Sequence, residues 1–189
     1  MKPTDTSEKG LETIIEKSLV DESQYRQSYS PDYDRDLCFN KRLLFEFIKE
    51  TQPTAFDTIQ KRGEEKFIKR LAEQIKQRGI IDVLRKGVKD LDLNVYLYYK
   101  QPANDLNQRA LSLYNSNIFS VTRQLHYSMA NNNSLDMAIF INGLPIITLE
   151  LKNHFTGQTV KNAIKQYQTD RDPKEPLFHF GRCMVHFAV

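Results

Sequence analysis

Apolar residues recur at three- and four-residue intervals in the first half of the chain and at alternate positions through much of the second. Leu11, Ile14, Ile15 and Leu19 predict a helix over Glu8–Val20 that packs on a core. The polar, tyrosine-bearing run from Asp21 to Asp36 predicts an extended surface connection, since Pro31 excludes a continuous helix. Leu44, Phe47 and Ile48 predict a second helix over Leu37–Glu50 that ends before Pro53. A third follows over Glu64–Arg78, with Phe67, Ile68, Leu71 and Ile75 on one stripe and Gly79 as its C-terminal cap. Strand patterns then take over: Leu91–Tyr99, Phe119–Tyr127, and the two runs Asp136–Ile141 and Ile146–Lys152, which flank an Asn142-Gly143 turn signal. Val160, Ala163, Ile164 and Tyr167 return to helical spacing within Val160–Asp170, and Cys183–Val189 reads as a last strand. The sum is helices, a strand meander, a helix and a strand: α/β or α+β around one mixed sheet, without internal repeats.

Composition narrows the class. At 189 residues, 40% hydrophobic and 27% charged, the chain suits one domain of ordinary size and not a disordered tract. Its helical part would fall at about 1–80 and its sheet at about 90–189. Cys38 and Cys183 stand far apart, which argues against a disulfide scaffold and against a zinc site. No apolar run reaches the roughly 18 residues of a membrane span, and the N-terminal ten residues are too polar for a secretory signal. A soluble protein of the cytoplasm is expected. The net charge of +3 permits nucleic-acid binding without demanding it. Basic pairs such as Lys61-Arg62 and Arg85-Lys86 alternate with acids and read as solvated helix faces.

The candidate chemistry lies in Glu150-Leu151-Lys152. Two-residue periodicity puts Glu150 and Lys152 on one face of a strand whose other positions are apolar, a costly place for charge unless it is paired or metal-bound. Asp136 supplies a second carboxylate from the neighbouring strand. Two carboxylates and a backbone carbonyl are oxygen ligands suited to Mg²⁺, and the lysine can serve an attacking water. A strict two-residue Asn142-Gly143 loop would leave Asp136 and Glu150 on opposite faces. A three-residue loop, Ile141–Gly143 with a bulge, would pair Asp136 with Thr148 and bring Glu150 onto the same face, so the bulged hairpin is expected. The plain alternative is a surface hairpin with a Glu–Lys ion pair.

The run SVTRQLHYS, then SLDMAIFINGLPIITLELKN, TGQTVKNAIKQYQTDRDP and PLFHFGRCMVHFAV resembles the N-terminal nuclease region of the R (restriction and motor) subunit of type I restriction-modification enzymes. The likeness covers most of the chain and is strongest from about Ile118 to Val189. It implies a restriction-endonuclease-like (PD-(D/E)xK) fold, a mixed central sheet flanked by helices. It also implies that Asp136 and Glu150 hold Mg²⁺, that Lys152 serves the nucleophilic water, and that Glu12 on the first helix joins the site, with Glu16 one turn on. The family's glutamine-tyrosine motif maps its glutamine to Gln166, but its tyrosine position holds Asp170 here, while Tyr167 follows the glutamine directly. Arg123 and Lys165 are candidate nucleic-acid contacts, and Gln124 and His126 fall on the same strand as Arg123.

No G-x-x-x-x-G-K-[ST] phosphate loop occurs in the sequence. The resemblance therefore implies a nuclease portion of a longer subunit, with ATP used only by a motor region beyond it. Double-stranded DNA and the modification and specificity subunits are the implied partners. The rival readings are a repair or defence nuclease of the same fold and a docking module that keeps the fold without cutting.

Overall fold

The computed structural model describes residues 7–152 and 158–189. The polar run at 1–6 and the segment 153–157, which holds part of the family-like stretch, lie outside the described residues. Helix α1 (Glu8–Lys17) starts on Ser7, whose side chain accepts from the Gly10 amide at 3.0 Å, and it widens into a π-type turn over Ser18–Glu22. The expected surface connection contains β1 (Arg26–Ser28), and β2 (Tyr33–Asp34) pairs with β3 (Phe39–Asn40) just beyond it. Strand β1 escaped the pattern because it is a three-residue edge strand whose first two side chains are solvent-exposed.

Asn40 caps α2 (Lys41–Thr51), accepting from the Leu43 amide at 3.1 Å. Pro53 opens α3 (Pro53–Arg62) immediately after it. A proline at the first helical position lacks only an amide that would have no intrahelical partner. Helix α4 (Glu64–Arg78) matches its expected bounds, and Gly79 separates it from α5 (Ile80–Lys86). The expected strand over Leu91–Tyr99 is instead a small hairpin, β4 (Val88–Asp90) with β5 (Leu93–Val95), apart from the main sheet. Helix α6 (Gln108–Asn115) buries no residue fully, which left no periodic stripe to read.

The main sheet is built from β1, β6 (Phe119–His126), β7 (Ser134–Ile141), β8 (Leu144–Glu150) and β9 (Val185–Ala188), in the order β1-β6-β7-β8-β9. The three middle strands are antiparallel, while β1 runs parallel to β6 and β9 parallel to β8, so the sheet is mixed. Helix α7 (Val160–Lys165) precedes a second π-type turn, Gln166–Asp170. Its expected core face is corrected: Ala163 is buried, Tyr167 is half-buried, and Val160 and Ile164 are exposed. A large core joins α2 to α5 with the tip of the β7–β8 hairpin, through Leu43, Leu44, Phe47, Ile141 and Leu144. Two smaller clusters line the other end of the sheet; one of them, Val121, Met137 and Leu151, receives Leu11, Ile15 and Leu19 of the N-terminal helical segment. Among the described residues no helix is long and apolar enough to cross a membrane.

The hairpin turn differs from expectation in an instructive way. Ile141 pairs with Leu144 across a two-residue turn, with Asn142 at φ 50° and Gly143 at φ 78°, the left-handed pair of a type I′ turn. The extra residue is Ile146: Phe140 pairs with Pro145, but Ile139 pairs with Ile147. The bulge therefore lies within β8 and not in the loop. Asn142 fixes the tight turn by accepting from the Ile118 amide at 2.6 Å and donating to Leu97 O at 2.8 Å and Asn117 Oδ1 at 3.0 Å. Pro145, with no amide to give the ladder, marks where the irregularity falls. Beyond the bulge Met137 pairs with Leu149, and the same register carried one residue further sets Asp136 opposite Glu150. The shared face is reached, by another route.

Gly143 also touches the helical core: a Cβ there would collide with the Asn40 carbonyl oxygen and lie 2.8 Å from the Leu44 nitrogen, at a φ that disfavours side chains. Gly143→Ala should lower stability by at least about 2 kcal/mol, read as a reduced midpoint in urea unfolding.

Candidate functional site

Strand β8 lies between β7 and β9, so a charge at its end is covered on both flanks. Glu150 occupies that end and is 1% exposed. Burial pushes its carboxyl up to about 7, with Asp136 adding to the rise while Arg171 and Lys152 oppose it. Those four side chains thus share one electrostatic neighbourhood. Asp136, half-buried on β7, accepts from the Leu151 amide at 2.7 Å through Oδ2, which ties it to the residue between Glu150 and Lys152. Leu151 is fully buried against Val121 and Met137 and fixes the chain at that point.

Lys152 has a nearly buried side chain, and its Nζ lies 3.6 Å from Glu8 Oε1, an ion pair too long for a hydrogen bond. Arg171 donates to Glu150 Oε1 through one terminal nitrogen and to the Tyr127 hydroxyl at 3.2 Å through the other. Tyr167, half-buried, shares a 2.8 Å hydrogen bond with the Thr148 hydroxyl, and burial raises its phenol. Gln166 Oε1 is buried and has no hydrogen-bond partner among the described residues. Asp170, where the family pattern has tyrosine, is exposed and accepts from the Thr169 hydroxyl at 2.7 Å. The motif's tyrosine position therefore faces solvent, while Tyr167 feels the charge of Glu150 and Tyr127 shares Arg171 with it.

Glu12 is placed differently from Asp136 and Glu150. It is 1% exposed, yet it accepts from Arg123 Nε at 3.0 Å and Gln124 Nε2 at 2.8 Å. Glu16 takes a longer bond from the same guanidinium, 3.4 Å, and one from Gln27 at 3.1 Å. Helix α1 thus turns two acids inward against β6 beside Leu11, Ile15 and Leu19, which pack as their spacing predicted, while Ile14 of that expected face is exposed. Among the described residues no three acidic, histidine or cysteine side chains gather closely enough to hold an ion. The structure does not assemble Glu12, Asp136 and Glu150 into one three-carboxylate group, because Glu12's oxygens are already satisfied.

Arg123 is committed as well, to both glutamates and to the Lys9 carbonyl at 3.3 Å, and not held open toward solvent. Lys165 is exposed on α7. His126 is a structural residue here, its amide on Ser30 Oγ at 2.8 Å and its Nδ1 3.0 Å from Asn132 O. Two residues that the motif reading missed, Arg171 and Glu8, meet the site directly. Arg171 stands in the run Asp-Arg-Asp-Pro, which reads as polar loop, and Glu8 is one of several acids on a helix start; no spacing signal singles out either.

This is an α/β domain in which an acidic pair and a lysine converge at the end of a central hairpin. The chain belongs to the family described as type I restriction enzyme R protein N terminus, whose model matches residues 5–189. It is also similar to a "Putative type I restriction enzyme MjaVIIIP endonuclease subunit" of Methanocaldococcus jannaschii, at 29% identity over 129 residues, which is 66% of this chain. The chain spans 12% of the length of that relative.

Removing Arg123 would leave Glu12 buried without its cation. Arg123→Met should cost about 3–5 kcal/mol, and pairing it with Glu12→Gln should restore part of the loss in thermal unfolding.

Proposed function

We propose that this domain is the Mg²⁺-dependent endonuclease part of a type I restriction R subunit, with a PD-(D/E)xK-type site, acting on double-stranded DNA in the cytoplasm. The observation that carries the reading is the placement of Asp136, Glu150 and Lys152 around one hydrogen bond, Asp136 to the Leu151 amide, in a chain of this family. Two hard oxygen donors suit Mg²⁺, which is commonly bound through one or two carboxylates with water and substrate phosphates completing its shell. A cation beside Asp136 and Glu150 would also relieve the burial and mutual repulsion that raise the Glu150 carboxyl. The donors present therefore fit the ion, with Asp136 and Glu150 as its holders and Glu12 held back on Arg123.

When bound, Mg²⁺ supplies Lewis acidity at the scissile phosphate and at the attacking water. The protein's own groups do the rest. Asp136 is oriented by the Leu151 amide, and Glu150 by Arg171. Lys152 offers donors from Nζ to the incoming water or to a phosphate oxygen and offsets charge as the phosphorus centre becomes more negative. Gln166, with a buried, unpartnered amide oxygen, is a further candidate for orienting that water. Lys165 is free on the surface to meet the DNA backbone, a contact that would weaken with salt. Cleavage position would be set by the modification and specificity subunits, and ATP would be used in a motor region outside this chain.

A docking module of the same fold is the second reading, favoured by one observation: Arg171 already occupies Glu150. Nicking of supercoiled DNA by the intact subunit with Mg²⁺ separates the two. Asp136→Ala, Glu150→Ala and Lys152→Ala should each reduce nicking at least about 100-fold; wild-type activity in all three would remove the nuclease assignment.

The Glu150 carboxyl also fixes the sign of a pH effect. With its ionisation raised to about 7, the proton must leave before a cation can bind, so affinity rises with pH. Mg²⁺ affinity measured calorimetrically should increase about tenfold from pH 6 to pH 8, and Glu150→Gln should flatten the profile.

A further inference from the structure

Arg171 carries more constraint than a loop residue needs. Its side chain is 9% exposed and that of Glu150 is 1% exposed. One terminal nitrogen is on Glu150 Oε1 and the other is 3.2 Å from the Tyr127 hydroxyl, while the guanidinium carbon lies 5.5 Å from the Tyr127 ring centre. Tyr127 is itself 1% exposed and packs edge-on against Phe178 at 4.9 Å. The Arg171 amide donates to Gln166 O at 3.1 Å, closing the turn after α7, so backbone and side chain are both anchored. Its Nε is buried without a hydrogen-bond partner among the described residues. A donor left unsatisfied in the interior costs free energy that a purely structural arginine on an exposed loop would avoid.

We propose that Arg171 is the resident counter-ion of Glu150: a positioning residue that holds the carboxylate ready in cation-free protein and that a divalent cation must work against. The proposal rests on the reading of Asp136 and Glu150 as cation ligands. Its physical basis is a charge count. Asp136, Glu150 and Glu8, the ion-pair partner of Lys152, contribute three negative charges and Lys152 and Arg171 two positive ones, so Arg171 brings the group from two net negative charges to one before any ion arrives. A buried carboxylate with a hydrogen-bonded guanidinium is tolerated, whereas one without is strongly destabilising. Arg171 therefore lets the site exist preformed without metal. The same positive charge, at short range in a medium of low dielectric, opposes an incoming dication. The ion would bind weakly to the free protein, and a scissile phosphate, by bringing negative charge to the site, would tighten it. Arg171 thus couples cation loading to the presence of DNA.

The test is Mg²⁺ titration of the intact subunit by calorimetry at pH 8, comparing wild type, Arg171→Gln, Arg171→Lys and Asp136→Asn. The relevant binding component is the one that Asp136→Asn removes. Arg171→Gln should bind Mg²⁺ about tenfold more tightly, unfold at a lower temperature without the ion, and regain more stability on its addition than wild type does. Arg171→Lys, which keeps the charge, should stay near wild type in affinity. Equal or weaker Mg²⁺ binding by Arg171→Gln, with a native circular dichroism spectrum, overturns the proposal. Should Arg171→Gln fail to fold, Tyr127→Phe loosens the same guanidinium: a smaller tightening supports the role, and none or a weakening overturns it. Nicking on the same preparations separates this inference from the site reading. Nicking that needs Asp136, with unchanged affinity in Arg171→Gln, removes the Arg171 role alone. No nicking, and no Mg²⁺ component sensitive to Asp136, removes both.

Discussion

A carboxylate at the end of a central strand, with neighbouring strands on either side, has no access to water and must be satisfied by protein. Glu150 is in that position, and much of the surrounding structure answers to it. Arg171 supplies a hydrogen-bonded charge from the loop after α7, Lys152 a second charge from the chain just past β8, and Asp136 a second acid from β7. The acid nearest Lys152 is Glu8, at the start of α1, so charge compensation links the first helix to the last third of the chain. Such a cluster is poor value for stability and good value for chemistry, because its groups are held apart from water and cannot relax when charge changes nearby.

The far end of the same hairpin is held by a different kind of interaction. Asn142 and Gly143 sit in the helical core, where Asn142 satisfies backbone groups from two other segments and Asn40 donates to the Gly143 carbonyl at 2.8 Å. Between that anchored tip and Glu150, the single extra residue at Ile146 changes which face every later side chain of β8 presents. Without it Asp136 would meet Leu149 and Glu150 would turn to the other face. The site thus depends on one backbone irregularity, flanked by a buried asparagine four residues before it and a proline directly before it.

The acids of α1 show how a polar seam can be buried beside an apolar stripe. Glu12 and Glu16 are buried because Arg123, Gln124 and Gln27 meet them, and Leu11, Ile15 and Leu19 flank that seam against the third apolar cluster. The first helix is thereby fastened by charge to the sheet beside the candidate site.

The sequence by itself determined the elements whose periodicity is local. Helix α4 with its glycine cap, strand β6 and the two arms of the hairpin were legible, because a repeated apolar spacing or an Asn-Gly turn signal is local, and residue type and spacing named Asp136, Glu150 and Lys152 as candidates. Tertiary structure alone decided the rest. Strand β1 exists through its parallel partner β6, and α3 begins at the proline that looked like a stop, since the chain needed only a new axis. The bulge at Ile146, the capture of Glu12 by Arg123 and the pairing of Arg171 with Glu150 join residues 21 to 111 positions apart or depend on how the tip is packed. Long-range partners leave no period in the sequence: a charged side chain reads as surface until the fold shows which opposite charge shares its buried place.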